Sequence, residues 1–293
     1  MNYFLLIISI LVLLLLITRI LNAKMWAIKL KPHTETPEKF GITFEEVRFP
    51  TENKRSLYGW WIPAKHQPET SATLILVHGW NRNLGRMLRY IQHLHPFNYN
   101  LLAFDARHHG SSDADGHASM YKFAQDTAAA VKYASSRQID PHKIGVLGLS
   151  IGGAGSIYAT ALAPLIKAVV TVGAPAHPVD VMEHTFRHKH IPGPLIWFML
   201  KQIERRIGIK YELFAPMNNI GKSDSAFFII QGVEDNVVLA DQGEKLKNAA
   251  RPENIKYWAI PGRGHSDCHH EPGFWDKLNE FYQTQFEKGS KTL

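Results

Sequence analysis

From Tyr3 to Ile17 the chain is apolar at every position except Ser9, and after Thr18 and Arg19 the run resumes at Ile20 and Leu21. A hydrocarbon core needs roughly 20 helical residues at about 1.5 Å rise each. Tyr3–Leu21 nearly reaches that length, with Arg19 snorkelling toward the headgroups. A buried helix of a soluble protein usually keeps a polar stripe, and this segment has none. A cleaved signal peptide needs a positive region ahead of the apolar run and small residues at the cut. Asn2 and Leu21-Asn22-Ala23 supply neither. The pattern therefore predicts a retained single-span anchor over residues 1–22 and a juxtamembrane connector over 23–43.

Past Pro37 the pattern changes to short β-branched runs alternating with longer helical stretches. Strands are predicted at Phe44–Phe49, Leu57–Ile62, Leu74–Val77, Leu101–Asp105, Lys143–Leu147, Ala168–Val172, Ala226–Gln231 and Lys256–Ile260. Helices are predicted at Tyr121–Arg137, Ile151–Leu162, Leu239–Asn248 and Gly273–Phe286. The short polar turn Pro50–Arg55 makes the first two strands an antiparallel hairpin, whereas helix-length spacings make the later connections parallel crossovers. Unbroken apolar runs such as Leu74-Ile75-Leu76-Val77 suit a sheet covered on both faces. One stretch breaks the alternation: between Val172 and Ala226 no clear strand occurs, while Ile191–Leu200 and Ile203–Ile207 read as helical. That is too long for a plain connection and predicts an inserted, mostly helical cap over about 176–222. The expected class is α/β, with a mostly parallel eight-stranded sheet and helices on both faces.

Composition narrows the choice. With 293 residues, 45% hydrophobic, 20% charged and a mean hydropathy of −0.17, the chain is neither disordered nor polytopic. Its single cysteine excludes an intrachain disulfide framework. The net charge of +7 by itself admits nucleic acid or an anionic membrane surface as partner. Its distribution decides: the first 40 residues hold five Lys/Arg against two Glu, leaving 28 against 24 in the remainder. The surplus beside the span suits anionic headgroups, so a membrane is the expected partner and nucleic acid is not. Arg19, Lys24, Lys29 and Lys31 follow the span and no charged side chain precedes it, which puts the body on the cytoplasmic side.

The candidate chemistry lies in four loops that follow predicted strands. Gly148-Leu149-Ser150-Ile151-Gly152 has the G-x-S-x-G form, between an apolar strand and a small-residue helix. That is the strand–turn–helix setting of a nucleophile elbow; a flexible glycine loop or a phosphate cradle at a helix start would share the pattern. His78-Gly79-Trp80 follows the strand Leu74–Val77, so the Trp80 and Ile151 backbone N–H groups are candidates for an oxyanion hole. Glu234-Asp235 and His265 follow the next two strand ends, giving the chain order Ser, Asp, His. Asp235 is favoured over Glu234 as the acid. His265 is favoured over His269 and His270, which are expected to be solvated or helix-capping. Cys268 is expected to be a bystander.

On these motifs the sequence resembles the α/β-hydrolase superfamily over roughly residues 44–288, most of all its membrane-anchored members grouped with serine aminopeptidase-like and acylglycerol-lipase-like hydrolases. Phe104-Asp105-Ala106-Arg107-His108-His109-Gly110-Ser111-Ser112 is similar to the family's F-D-x-R-G-x-G-x-S loop, with His108 in place of the first glycine, and Asp235-Asn236-Val237-Val238 matches the stretch after the acid strand. The resemblance implies Ser150 as nucleophile, His265 as base, Asp235 as orienting acid, and Trp80 and Ile151 as oxyanion donors. It implies cleavage of a small-molecule carboxylic ester through an acyl-enzyme, with no cofactor and no metal. A peptidase or amidase of the aminopeptidase type, or a silent membrane scaffold on the same fold, are the alternatives. His184, His188 and His190 lack the accompanying carboxylate motif of a zinc site. The apolar cap segment Ile191–Ile203 must bury two faces, against the body and against either lipid or an acyl chain.

Overall fold

The computed structural model describes residues 3–290; of the predicted anchor, Met1 and Asn2 lie outside them. One eight-stranded sheet organises the body, in the order β1-β2-β4-β3-β5-β6-β7-β8. The strands are β1 (Glu45–Thr51), β2 (Arg55–Ile62), β3 (Thr73–Val77), β4 (Asn100–Phe104), β5 (Ile144–Leu149), β6 (Ile166–Val172), β7 (Ala226–Gly232) and β8 (Ile255–Ile260). β2 pairs antiparallel with both β1 and β4, and the other neighbours are parallel. This is the α/β-hydrolase fold, with all eight predicted strands in place to within two residues at either end.

Every position of β3, β4 and β5 is buried, because helices cover both faces. Side chains alternate between the layers with the strand period of two. Ile75, Val77, Leu102 and Val146 join the core beneath α3 (Met120–Ser136), α4 (Ile151–Leu162) and α9 (Ala240–Ala249). Leu74, Leu76, Leu101 and Leu147 join the core beneath α2 (Leu88–Leu94) and α10 (Phe274–Ser290). At about 25 cal/mol per Å² of apolar surface, a leucine fully buried in either layer contributes roughly 2 kcal/mol.

Between β6 and β7 lie α5 (Pro178–His188), α6 (Gly193–Ile207), α7 (Tyr211–Phe214) and α8 (Pro216–Asn219). The two helical runs expected there form the single helix α6, which ends at Gly208 in the left-handed conformation. α5 lies within the mostly helical segment expected there, though its bounds were not expected. Its inward positions Val179, Met182 and Phe186 keep helical spacing but alternate with histidine and charged residues.

α1 (Tyr3–Met25) is long enough, at about 34 Å, to cross a bilayer, and continues three residues past the predicted boundary. Tyr3–Ile17 is exposed apolar surface apart from Ser9. The last two turns are docked on the cap. Thr18 is 0% exposed and accepts from Gln202 Nε2 at 2.6 Å, and Asn22 Nδ2 donates to the Met199 carbonyl at 3.3 Å. Leu21, Met25 and Trp26 pack on Phe186, Ile196, Met199 and Leu200. The second face of α6 is thus covered by the chain's own N-terminal helix.

Candidate active site

The site is built at the carboxyl ends of β3, β5, β7 and β8. Ser150 follows β5 with φ 52 and ψ −124, a conformation that is strained for a residue with a Cβ and fixed by its neighbours. Its N–H donates to the Val172 carbonyl at 2.9 Å, tying the turn to β6. Two glycines make the turn sterically feasible. A Cβ on Gly152 would lie 2.3 Å from the His78 carbonyl oxygen, and one on Gly148 would lie 2.5 Å from Gly153 Cα. The start of α4 therefore abuts the loop after β3, and a Cβ on Gly79 would lie 3.5 Å from Ser150 Cβ. Ile151 occupies the first position of α4, where backbone N–H groups have no partner within the helix.

Asp235 follows β7 and is buried at 4% exposure, whereas Glu234 is exposed. Asp235 Oδ1 accepts from the backbone N–H groups of Val237 and Val238 at 2.9 and 2.8 Å. Oδ2 meets His265 Nδ1 at 2.7 Å. An ionised carboxylate only accepts, so Nδ1 carries the proton and Nε2 is the basic nitrogen. Ser150 and His265 line one cavity of about 250 Å³, together with Gly79, Trp80 and Val237.

Trp80 is set by aromatic neighbours on two sides: Trp26 from the end of α1 at 5.9 Å and His109 at 6.0 Å, both edge-on. His78, ahead of it, is fully buried. Its Nε2 accepts from Ala106 N–H at 3.1 Å, which leaves Nδ1 to donate to the Gly79 carbonyl at 2.7 Å. Desolvation holds it neutral, below the usual histidine range. His78 is thereby a strut between the loop after β3 and the loop after β4.

The loop after β4 is held by a buried ion pair. Arg107 Nε donates to Asp126 Oδ1 at 2.7 Å, and its N–H to Oδ2 at 2.8 Å. His108 stands where related loops have glycine, and it adopts φ 70, so the left-handed turn is kept with a side chain on it. His108 Nε2 accepts from Asp115 N–H at 2.9 Å, an interaction available only to the imidazole.

Of the residues weighed against the triad candidates, His269 is buried against Tyr90, His270 and Trp275, contrary to its expected solvation. Burial, reinforced by Arg89, His270 and Arg86, lowers its pKa to about 4. Cys268 is buried, and burial raises its thiol to about 12, far from the thiolate a nucleophile requires. His184 and His188 contact each other at 4.5 Å, and among the described residues no group of three or more His, Cys, Asp and Glu is gathered as a metal site. Sequence reasoning missed Arg82 and Arg86, which form one wall of the cavity. The available signal was their spacing of four, directly after His78-Gly79-Trp80.

A family model described as serine aminopeptidase, S33, matches residues 68–193. The uncharacterized membrane protein YNL320W of Saccharomyces cerevisiae is 25% identical over 270 residues, covering 90% of this chain and 87% of that one. Protein bem46 of Schizosaccharomyces pombe is 28% identical, covering 86% of this chain and 80% of that one. Among solved structures, the Pyrococcus furiosus esterase Pf2001 superposes with a TM-score of 0.68 at 22% identity, covering 89% of this chain and all of that one. Est1E of Butyrivibrio proteoclasticus, solved with ferulic acid bound, gives 0.64 at 19% identity, covering 82% of this chain and 99% of that one. Sheet order, strained turn and structural neighbours converge on the α/β-hydrolase fold, and the serine aminopeptidase family model matches the part of it from residue 68 to residue 193.

Proposed function

We propose that the protein is a membrane-anchored serine hydrolase that cleaves carboxylic esters through Ser150, His265 and Asp235. The observation that carries this reading is the Nδ1–Asp235 hydrogen bond of 2.7 Å on an imidazole that shares a cavity with Ser150. A serine hydroxyl is a weak nucleophile at neutral pH and needs a base within reach. As Ser150 Oγ attacks the ester carbonyl, His265 Nε2 takes its proton and Asp235 stabilises the imidazolium. The oxygen of the tetrahedral intermediate is received by the Trp80 and Ile151 N–H groups. His265 then gives the proton to the leaving alcohol, and water repeats the sequence on the acyl-enzyme.

An aminopeptidase would need an acidic group to hold the substrate ammonium. The charged groups on the cavity wall are instead Arg82 and Arg86, with no carboxylate among its lining residues, which supports ester over peptide. α1 and the positive collar after it support a single span with the body on the cytoplasmic side.

The test uses the full-length protein in detergent with a fluorophosphonate probe. Labelling of the wild type and its loss in Ser150→Ala are expected, while a folded wild type that does not label, or equal labelling of the variant, overturns the reading. Turnover of p-nitrophenyl esters with none of aminoacyl p-nitroanilides is expected; the reverse preference selects the amidase. Release from membranes by high salt alone would exclude the span.

A further inference from the structure

The cavity that holds the candidate nucleophile is lined by two arginines with which no carboxylate among the described residues pairs. Arg82 and Arg86 line the cavity that contains Ser150 and His265, and Arg89 follows three residues on in α2. Among the described residues none of the three arginines forms an ion pair. Arg86 is half-buried, and one of its N–H groups donates to the Ser266 carbonyl at 3.1 Å, which fixes the guanidinium against the loop that carries His265. Of the two carboxylates on that loop, Asp267 accepts from Gly264 N–H at 2.7 Å and Glu271 pairs with Arg263 at 3.1 Å. Burial and the repulsion of Arg89 and Arg82 both weigh against the charge on Arg86. A guanidinium held in this way, with several donors unspent, gains most from an oxyanion that brings the missing charge.

We propose that Arg86, assisted by Arg82, is a substrate-binding subsite for an anionic group, carboxylate or phosphate, carried a few bonds from the scissile ester. This deepens the esterase reading and rests on it for the position of the ester carbonyl. The cavity, at about 250 Å³, lies just under the roughly 300–1,000 Å³ of pockets that take a whole drug-sized ligand. It accommodates the reacting carbonyl and a short anionic arm, and the remainder of a longer substrate extends past Val237, which is exposed at its rim.

Two substrate pairs distinguish the sources of the charge. p-Nitrophenyl hemiglutarate against p-nitrophenyl pentanoate places a carboxylate on the acyl side. A 1-acylglycerol 3-phosphate against the monoacylglycerol of the same chain places a phosphate on the alcohol side. For the full-length enzyme in detergent, the anionic member of at least one pair is expected to have a kcat/KM about tenfold or more above its neutral partner. In Arg82→Gln/Arg86→Gln this ratio is expected to fall to about one, and Arg86→Lys to restore part of it. The ratio cancels any effect of the variants on folding or on the shared chemistry. Anionic-to-neutral ratios at or below one in the wild type, or a ratio unmoved by the double variant, overturn the proposal.

A binding arm does not depend on turnover. Ser150→Ala protein is titrated calorimetrically with glutarate and with inorganic phosphate, and saturable binding lost on Arg86→Gln is expected. No binding of either anion overturns the subsite. Binding that persists in a protein whose wild type leaves Ser150 unlabelled sinks the hydrolase reading and leaves the anion site standing.

Discussion

His265 and His33 each lie against a buried aspartate, at 2.7 Å from Asp235 and 2.9 Å from Asp105, and both imidazoles are mostly covered. The chemistry of the pair is the same and the surroundings are not. Asp235 takes both of its backbone bonds from its own loop, Val237 and Val238, so its orientation is set locally and its imidazole faces a cavity with a serine in it. Asp105 takes its bonds from separate segments, Leu84 N–H at 2.7 Å and Ser111 N–H at 2.8 Å, and the connector adds His33 from a third. His33 Nε2 lies 2.9 Å from it without hydrogen-bond geometry, and the ring is roofed by Tyr58 stacked at 5.2 Å and by Trp60. A histidine–aspartate pair can serve proton transfer by the imidazole only where the second nitrogen opens onto a cavity; elsewhere it is a clasp that joins chain segments.

The contrast breaks most sharply at the acids. Asp235→Asn is expected to lower kcat for a p-nitrophenyl ester by about 10³–10⁴-fold with the thermal midpoint nearly unchanged, because the amide favours the wrong imidazole tautomer. Asp105→Asn is expected to do the reverse. An amide has one acceptor for the N–H groups that the two oxygens now serve, so unfolding stability should fall by about 2–3 kcal/mol while the folded fraction keeps its kcat within about tenfold. Urea titration and active-site labelling of the same samples separate the two effects.

The buried sheet was legible from the apolar runs, since strands covered on both faces have no polar alternation to misread, and the elbow was legible because only glycines fit at positions 148 and 152. The clasp was not. His33 and Asp105 are far apart in sequence, and neither has a motif that names the other. The docking of α1 left a trace in Thr18 and Asn22, four residues apart on one face, which read in the sequence merely as an interruption of the apolar run and as part of a poor cleavage site. The bounds of α5 and α2 were hidden for a different reason: their inward residues are interleaved with histidine and arginine, and α2 is only seven residues long.

An imidazole with no acid in contact is the third member of the comparison. His109 packs against His78, Trp80 and Phe123, and burial, with His78 beside it, lowers its pKa to about 3. An unfolded histidine takes up its proton near pH 6.5. Between those values the unfolded chain binds the extra proton, so stability is complete above pH 6.5 and falls as the pH drops toward 3. The slope contributed by this residue is about 1.4 kcal/mol per pH unit. His109→Phe should remove about that slope from the stability measured between pH 6 and pH 5. An unchanged slope would mean that His109 is solvated or paired. The smallest effect is expected at the clasp's own imidazole. His33→Gln leaves Asp105 its two backbone donors and should cost about 1 kcal/mol in urea titrations, with turnover of a neutral ester within about twofold. A loss as large as that from Asp105→Asn would make His33, not the backbone, the principal partner of the acid.

The hydrogen bonds of Thr18 and Asn22 to the cap also bear on how this protein can be handled. A helix fastened at its last two turns is not a removable leash. Trimming the chain after Met25 would uncover Phe186, Ile196 and Met199, and would take away the residues that lead directly into Trp26 and its contact with Trp80. Such a trimmed preparation should self-associate through the bared strip. The shortest version that keeps its surface intact begins before Thr18, with the exposed leucines and isoleucines upstream replaced by polar residues instead of deleted.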